Sequence, residues 1–370
     1  MYTEFSIKNY RCFDQLSLPD LPRFNLITGE NNTGKTALLE AIFLHCGAYR
    51  PELTVQVNAL RGVEEQRVQL LTWAETLWDP LFLLYDKEKT IVIEAKKQEA
   101  DEGTSGKPST RILQLNVVRH ADRLEKLDLS IKHGPSSQED GSFYSIADNA
   151  QVLELHSTQN GRERTYYMVV DAEGTRTVPI PPSPPFPAVF IPARSRVRLN
   201  EDAERFSNLA ILGRQDVVRK ALHVIEPRLK RLDVFIGGAG PMIHGDIGLG
   251  RSLPLPFMGE GMGRLASLVL AIANCENGVV LIDEIENGLH HSVLEKVWSA
   301  IAKIARDFQV QVFATTHSWE CITAAHESFK KAEEYDFRLC RLERRNGKLQ
   351  AIAYDRNVLE AAIETGMEVR

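Results

Sequence analysis

Residues 29–36 read Gly-Glu-Asn-Asn-Thr-Gly-Lys-Thr, which fits G-x-x-x-x-G-K-[ST], and no other stretch constrains the fold as tightly. The pattern binds phosphate only where a strand delivers the loop and a helix leaves it. Both flanks are present. Phe24-Asn25-Leu26-Ile27-Thr28 is short and mostly apolar between Pro22 and Gly29. From Lys35 to about Cys46, Ala37, Leu38, Ala41, Ile42 and His45 recur at helical spacing. Gly29 and Gly34 let the backbone curl so that N–H groups around Asn31, Asn32 and Thr33 turn toward phosphate oxygens. The new helix adds its positive dipole end. Lys35 is expected to neutralise the β- and γ-phosphates and the Thr36 hydroxyl to bind Mg²⁺. A glycine-rich turn can match by chance; the strand before and the helix after argue against that here.

The other half of such a site lies far downstream. Val279-Val280-Leu281-Ile282 is apolar throughout, as a strand buried on both faces is, and it ends in Asp283-Glu284. Ligands bind at the carboxyl ends of strands in open α/β sheets. Asp283 is expected to hold Mg²⁺, and Glu284 to polarise an attacking water. The plainer alternative is an acidic helix cap, which the upstream phosphate loop disfavours. A further strand, Val310 to Ala314, leads to Thr315-Thr316-His317-Ser318, where His317 can hydrogen-bond the γ-phosphate or the water. Phe257-Met258-Gly259-Glu260-Gly261-Met262-Gly263-Arg264 precedes a clear helix, Leu265 to Ala273. A helix start rich in small residues is another anion-binding end. Within one chain it has no phosphate left to bind, so it is expected to cap the γ-phosphate held by a second copy.

Between these halves the chain changes character. Residues 60–84 carry a helical pattern. From Thr90 to Ile180, strand-like pieces alternate with polar, glycine-containing loops: 90–95, 112–118, 127–131, 152–155 and 165–170. They predict an antiparallel β insertion. The proline-dense stretch from Val178 to Pro187 reads as a stiff crossover back to the core, with a docking ligand for an SH3-like partner as the alternative. Residues 200–232 look helical. Between 194 and 231 there are ten Arg and Lys against five Asp and Glu, in a chain whose net charge is −6. That basic bias is either a solvated face or a grip on nucleic-acid phosphates. A hairpin on Asn346-Gly347 and a short helix from about Val358 end the chain. The expected divisions are 1–85 and 251–370 as the two parts of one nucleotide-binding head, 86–190 as the β lobe and 191–250 as a basic helical segment.

Hydrophobic residues make up 43% and charged residues 25%, which suits a packed globule. The five cysteines are scattered without a C-x-x-C pair, against zinc or disulfide frameworks and in favour of a reducing compartment. No signal sequence opens the chain and no apolar run is long enough for a bilayer, so a cytoplasmic protein without a membrane partner is expected.

In this order and spacing the four elements resemble the ABC-type ATPases of the SMC, RecF and OLD (overcoming-lysogenization-defect) group. Ile7-Lys8-Asn9-Tyr10-Arg11-Cys12-Phe13 looks like that group's first strand. The phosphate loop is close to the OLD-like form, and Asp-Glu-Ile-Glu-Asn-Gly-Leu-His (283–290) is similar to its Walker B and D-loop. The likeness covers residues 1–50 and 255–320 and leaves the middle open. It implies an α/β fold: a P-loop NTPase head of ABC type with a mixed sheet, an antiparallel β insertion and a helical insertion. It implies ATP and Mg²⁺ as cofactors, Arg11 near the nucleotide, and Gly259, Gly261 and Arg264 in the signature motif. Met258 stands where the signature serine belongs, and no Q-loop glutamine can be assigned. Too few residues follow His317 for a Toprim nuclease, and no sustained heptads exist for an SMC coiled coil. A stand-alone OLD-like ATPase follows: a homodimer around Mg-ATP that engages DNA or a separately encoded effector, such as a Toprim-type nuclease, in anti-phage defence. The alternatives are a weakly hydrolysing ATP-bound scaffold and a RecF-like DNA-repair ATPase. A transporter motor fits the β insertion poorly, and a GTPase lacks N-K-x-D.

Overall fold

A computed structural model describes residues 1–61, 77–98, 109–118, 151–171, 174–193, 199–238 and 240–370. Two sheets organise the chain. The first is a six-stranded sheet of β3 (Phe24–Thr28), β9 (Ala188–Ile191), β13 (Val279–Ile282), β14 (Gln311–Thr315), β15 (Phe337–Arg345) and β16 (Lys348–Tyr354). Its order is β16-β15-β3-β14-β13-β9. Only β16 runs antiparallel to its neighbour, so the sheet is mixed.

The alternation of side chains along β13 explains its unbroken apolar run. Val280 and Ile282 enter the core beneath α5 (Glu260–Ala273), α6 (Leu294–Asp307) and α7 (Trp319–Lys330), while Val279 and Leu281 enter the core on the other face. A strand covered on both sides has no position for a polar side chain until it ends. On that other face lies α1 (Lys35–Gly47), twelve of whose residues are buried, which is why its sequence lacks a polar stripe.

The second sheet caps α1. It has seven strands, all antiparallel: β1 (Tyr2–Tyr10), β2 (Phe13–Leu18), β4 (Ile91–Lys97), β5 (Ser109–Val118), β6 (Gln151–Gln159), β7 (Arg162–Asp171) and β8 (Gly174–Val178). Their order is β2-β1-β4-β5-β6-β7-β8. The strands expected between residues 90 and 180 therefore continue a sheet opened by the N-terminus. The proline-dense stretch joins β8 to β9, carrying the chain from one sheet to the other.

Several local expectations change. Residues 1–28, whose pattern predicts two strands, hold three, because β2 has apolar Phe13, Leu16 and Leu18 at a spacing that hides its period. In the stretch expected to be helical from 60 to 84, residues 62–76 lie outside the described residues, and 79–85 form two single 3-10 turns around Pro80. A short helix, α2 (Leu53–Ala59), precedes them. The strand expected at 127–131 also lies outside the described residues, as do Arg194, Arg196 and Arg198. The helical reading holds for α3 (Leu199–Ile211) and α4 (Asp216–Leu222), then fails. Residues 231–254 form a three-stranded sheet of β10 (Arg231–Gly237), β11 (Gly240–Asp246) and β12 (Leu253–Pro254). Phe235 and Ile236 are exposed there, so the strands lack the one-sided alternation that marks a half-buried sheet. The Asn346-Gly347 hairpin forms with both turn residues at positive φ (52° and 77°), and α8 (Arg356–Glu364) closes the chain. Among the described residues, no helix is long and apolar enough to cross a membrane.

Polar groups pin α1 to the antiparallel sheet. Tyr2 donates to His45 Nδ1 (2.7 Å), and the other ring nitrogen lies 3.2 Å from the Arg111 carbonyl. Both contacts suit a neutral imidazole protonated at Nε2. Burial, with Arg111 nearby, drops this histidine to about 3. A base whose pKa is lower folded than unfolded is protonated first in the unfolded chain, so its contribution is full above about pH 6.5 and lost on acidification. The thermal midpoint should therefore fall as pH goes from 6.5 toward 3. His45→Gln should flatten that dependence; a variant as acid-labile as wild type would remove His45 as its source.

Candidate functional site

The phosphate loop leaves β3 and enters α1 without room for side chains. Gly29 has φ 137°, and a Cβ there would sit 2.2 Å from the Leu342 carbonyl. Gly34 has φ 91°, and its Cβ would meet Cys12 Sγ at 2.6 Å and Phe13 at 2.7 Å. The β1–β2 turn thus presses on the loop, and any side chain would push the backbone off its curl. Asn31 and Asn32 are exposed, with Asn32 also at positive φ (62°), while Thr33 donates to the Glu30 carbonyl (2.8 Å). The buried Lys35 folds back, its ammonium donating to the carbonyls of Gly29 (2.7 Å) and Glu30 (2.8 Å). Burial lowers its pKa, while Asp283, Glu284 and Glu286 oppose that.

Parallel pairing brings the second half of the site to this loop. β14 lies between β3 and β13, with Ala314 opposite both Leu26 and Ile282. All three strands therefore end together. Thr36 Oγ1 donates to Asp283 (3.0 Å to Oδ2), across 247 residues of chain. Thr315 Oγ1 donates to Asp283 Oδ1 (2.6 Å) and accepts from the Glu284 amide (2.8 Å). Thr315 escaped sequence reasoning; the pairing of Ile282 with Ala314, which only the fold sets, places it as the next residue, beside Asp283.

Glu284 sits at φ 49°, a conformation unusual for a side chain of its size, held by that amide bond. Asn287 donates to Glu284 Oε2 (2.7 Å) and so aims the carboxylate. His317 Nε2 lies 3.9 Å from Glu284 Oε1, and its amide donates to Glu286 (2.9 Å). Thr36, Asp283, Glu284 and His317 are therefore brought together.

The oxygens fit a hard cation. One carboxylate and one hydroxyl at the mouth of a phosphate loop match the protein share of a Mg²⁺ site completed by phosphate and water. Thr36 and Asp283 would hold the ion, which would neutralise charge on the phosphates. Lys35 has two carbonyls to surrender for phosphate oxygens.

Other expected residues stand elsewhere. Arg11 is bound within the fold: its guanidinium pairs with the buried Glu40 (2.6 Å) and donates to Asn58 (2.9 Å). Arg264 is buried at 8% exposure, donating from Nη2 to the carbonyls of Asp283 (3.3 Å) and Glu284 (3.2 Å). It struts α5 against the end of β13 in its own chain. Gly261 is half-buried, and a Cβ there would lie 3.3 Å from the Gly288 carbonyl. Gly259 is exposed at the start of α5, at φ 114°, with open space before it. Met258 turns inward: a Cβ on Gly245 would meet its sulfur at 2.9 Å.

The chain is similar to several known proteins. The chain is 24% identical over 351 residues to an ATP/GTP phosphatase of Helicobacter pylori, covering 87% of this chain and 86% of that protein. It is 46% identical over 39 residues to the DNA replication and repair protein RecF of Idiomarina loihiensis, 10% of this chain and 11% of RecF. A crystal structure of an Smc head bound to the C-terminal winged-helix domain of ScpA superposes with a TM-score of 0.50 at 11% identity, over 98% of this chain and 99% of that one. That likeness shows the fold, the ABC-type head. Residues 24–321 match the family described as "AAA domain, putative AbiEii toxin, Type IV TA system". A P-loop ATPase by its fold and its motifs, the chain belongs to that family.

Proposed function

We propose that this ATPase is a nucleotide-driven switch: Mg-ATP closes two copies face to face, and hydrolysis at Glu284 releases them. The reading rests on the convergence of Thr36 and Thr315 on Asp283 with Glu284 next in the chain, since this gathers metal ligand and water-polarising carboxylate at one phosphate loop. Lys35 and the loop amides bind the phosphates. Asn287 keeps the Glu284 carboxylate oriented while it takes a proton from water, and His317 stands beside it. Gly259, at an exposed helix start, is the part of the signature segment available to a second copy's γ-phosphate. Arg264 acts from within its own chain by holding the backbone of Asp283 and Glu284. ATP shifts the open–closed balance only by what it binds better in the closed form, and a helix start with no phosphate of its own supplies such a difference.

The closed form would engage DNA or a separately encoded effector, a Toprim-type nuclease among the candidates, in bacterial anti-phage defence in the cytoplasm. The toxin–antitoxin wording of the family description supports a defence role. The ATP/GTP phosphatase relative and the RecF likeness fit turnover and a nucleic-acid partner, respectively. In this division residues 1–85 and 251–370 make up the head, with β9 completing its six-stranded sheet and β1 and β2 extending into the antiparallel sheet, and the rest of 86–190 together with 191–250 carries the partner surfaces.

A second reading, an ATP-bound scaffold with little turnover, is favoured by one observation: Met258 packs on Gly245 and offers no hydroxyl where a signature serine would. Glu284→Gln separates the two. Under the switch reading wild type hydrolyses ATP and the variant loses about 10²-fold or more in kcat while accumulating as an ATP-bound dimer in size-exclusion chromatography. A wild type that stays monomeric with ATP and Mg²⁺ and never turns over, with or without DNA, decides against the switch. Thr315→Val should raise the Mg²⁺ concentration needed for half-maximal hydrolysis about tenfold, and Thr315→Ser should restore it; equal requirements in all three proteins would remove Thr315 from the site.

A further inference from the structure

The outer end of the antiparallel sheet carries a cluster of cations that the nucleotide site does not use. β6 and β7 turn on Asn160-Gly161, both at positive φ (51° and 75°). Pairing sets Arg111, Gln159 and Arg162 in one cross-strand row and Leu113, Ser157 and Arg164 in the next. Tyr49, just past the end of α1, joins Ser157, Gln159, Asn160, Arg162 and Arg164 around a cavity of about 440 Å³.

Three features of this cavity point to an anion. Ser157 is 2% exposed, and its hydroxyl has no hydrogen-bond partner, a state a protein rarely leaves uncompensated. Arg162 and Arg164 are exposed and form no ion pair among the described residues; Arg164 lies over the Tyr49 ring at 5.2 Å. Behind them Arg111, 5% exposed, also has no carboxylate partner among the described residues: it donates to Gln159 (3.2 Å) and to the His45 carbonyl (3.3 Å). Among the described residues, the nearby acids have other partners. Glu163 is on the opposite face toward His156, and Glu52 accepts from Thr177 and pairs with Arg50. Guanidiniums without carboxylates, set around a buried hydroxyl donor, suit a phosphate group, whose oxygens take a guanidinium fork and a hydroxyl together.

We propose that this cavity is a second phosphate-binding site, taking the phosphate of a nucleic-acid backbone or a free nucleotide through Arg162, Arg164 and Ser157. The cavity exceeds a bare phosphate, and Tyr49 offers a ring for the attached nucleoside. Its place is separate from the ATP site. α1 starts at the phosphate loop and ends beside Tyr49, so its thirteen residues, at about 1.5 Å each, set the two sites about 20 Å apart on one helix. The inference draws on the switch reading only for its biological use, as the surface the β lobe would offer a nucleic-acid partner.

The test uses the full chain with its phosphate loop saturated by a non-hydrolysable ATP analogue. Anisotropy of labelled single-stranded and duplex oligonucleotides, and competition by orthophosphate and by AMP, are read for wild type, for Arg162→Gln/Arg164→Gln and for Ser157→Ala. The double variant should bind oligonucleotide at least tenfold more weakly, with a salt slope reduced by about one to two. Ser157→Ala should bind several-fold more weakly without a lower thermal midpoint, because the hydroxyl it removes satisfies nothing in the free protein. It keeps the test decidable should the double variant fail to fold. Loss of orthophosphate or AMP binding alone supports the site and names the small anion as its source. Binding of every probe by the variants as by wild type, or no binding by wild type, overturns the proposal. ATP turnover without the analogue should be equal in all three proteins. Absent turnover in wild type would count against the switch while leaving this binding result intact.

Discussion

Thr36 and Asp283 are held within hydrogen-bond distance by three parallel strands, and the geometry of the candidate site depends on that register. The phosphate loop follows β3, the acidic pair follows β13, and β14 between them supplies Thr315, which touches both Asp283 and the Glu284 amide. A slip of one residue in either pairing would turn the strands' side chains to the opposite faces. Because β13 is buried on both sides, such a slip would exchange two well-filled cores, and the packing therefore protects the site geometry.

The helices add struts across that register. Arg264 ties the start of α5 to the last carbonyls of the β13 segment. Movement at the exposed Gly259 end would be felt at Glu284 through a rigid helix and a buried guanidinium. α1 does the same for the other sheet. Its start follows the phosphate loop, its middle holds Glu40 against Arg11 and Arg61, and its last turn holds His45 against Tyr2 and Arg111. Removing one partner from a buried charge group like that of Glu40 costs about 3–5 kcal/mol, so Arg11 has a structural role sufficient to account for its place. The antiparallel sheet is thus fastened to the nucleotide-binding helix along its length.

Elements whose burial is one-sided or complete were the legible ones: β3, α1, β13, β14 and the Asn346-Gly347 hairpin follow directly from residue pattern. Elements whose apolar residues follow no simple period were not, even where, as for Phe13, Leu16, Trp78 and Phe82, the side chains are buried. β10 and β11 expose Phe235 and Ile236, β2 breaks its alternation, and the stretch before Pro80 carries a helical pattern that its described end, at 77–85, does not follow. At the site, Lys35, Thr36, Asp283 and Glu284 were readable because phosphate chemistry demands those types at those strand ends. Thr315 and Asn287 were not singled out, because each matters only through a neighbour.

By itself the sequence determined the phosphate loop and the acidic strand end, since these are local patterns whose flanking strands and helix favour one physical use, and the order of the motifs carried the resemblance to ABC-type ATPases. Tertiary structure alone decided that Arg11 serves Glu40, that Arg264 braces its own chain, that Met258 turns inward, and that Arg111, Arg162 and Arg164 share a face with an unpaired hydroxyl. Those outcomes depend on which side of a strand or helix a residue faces and on what distant segment covers it, and a linear pattern carries neither.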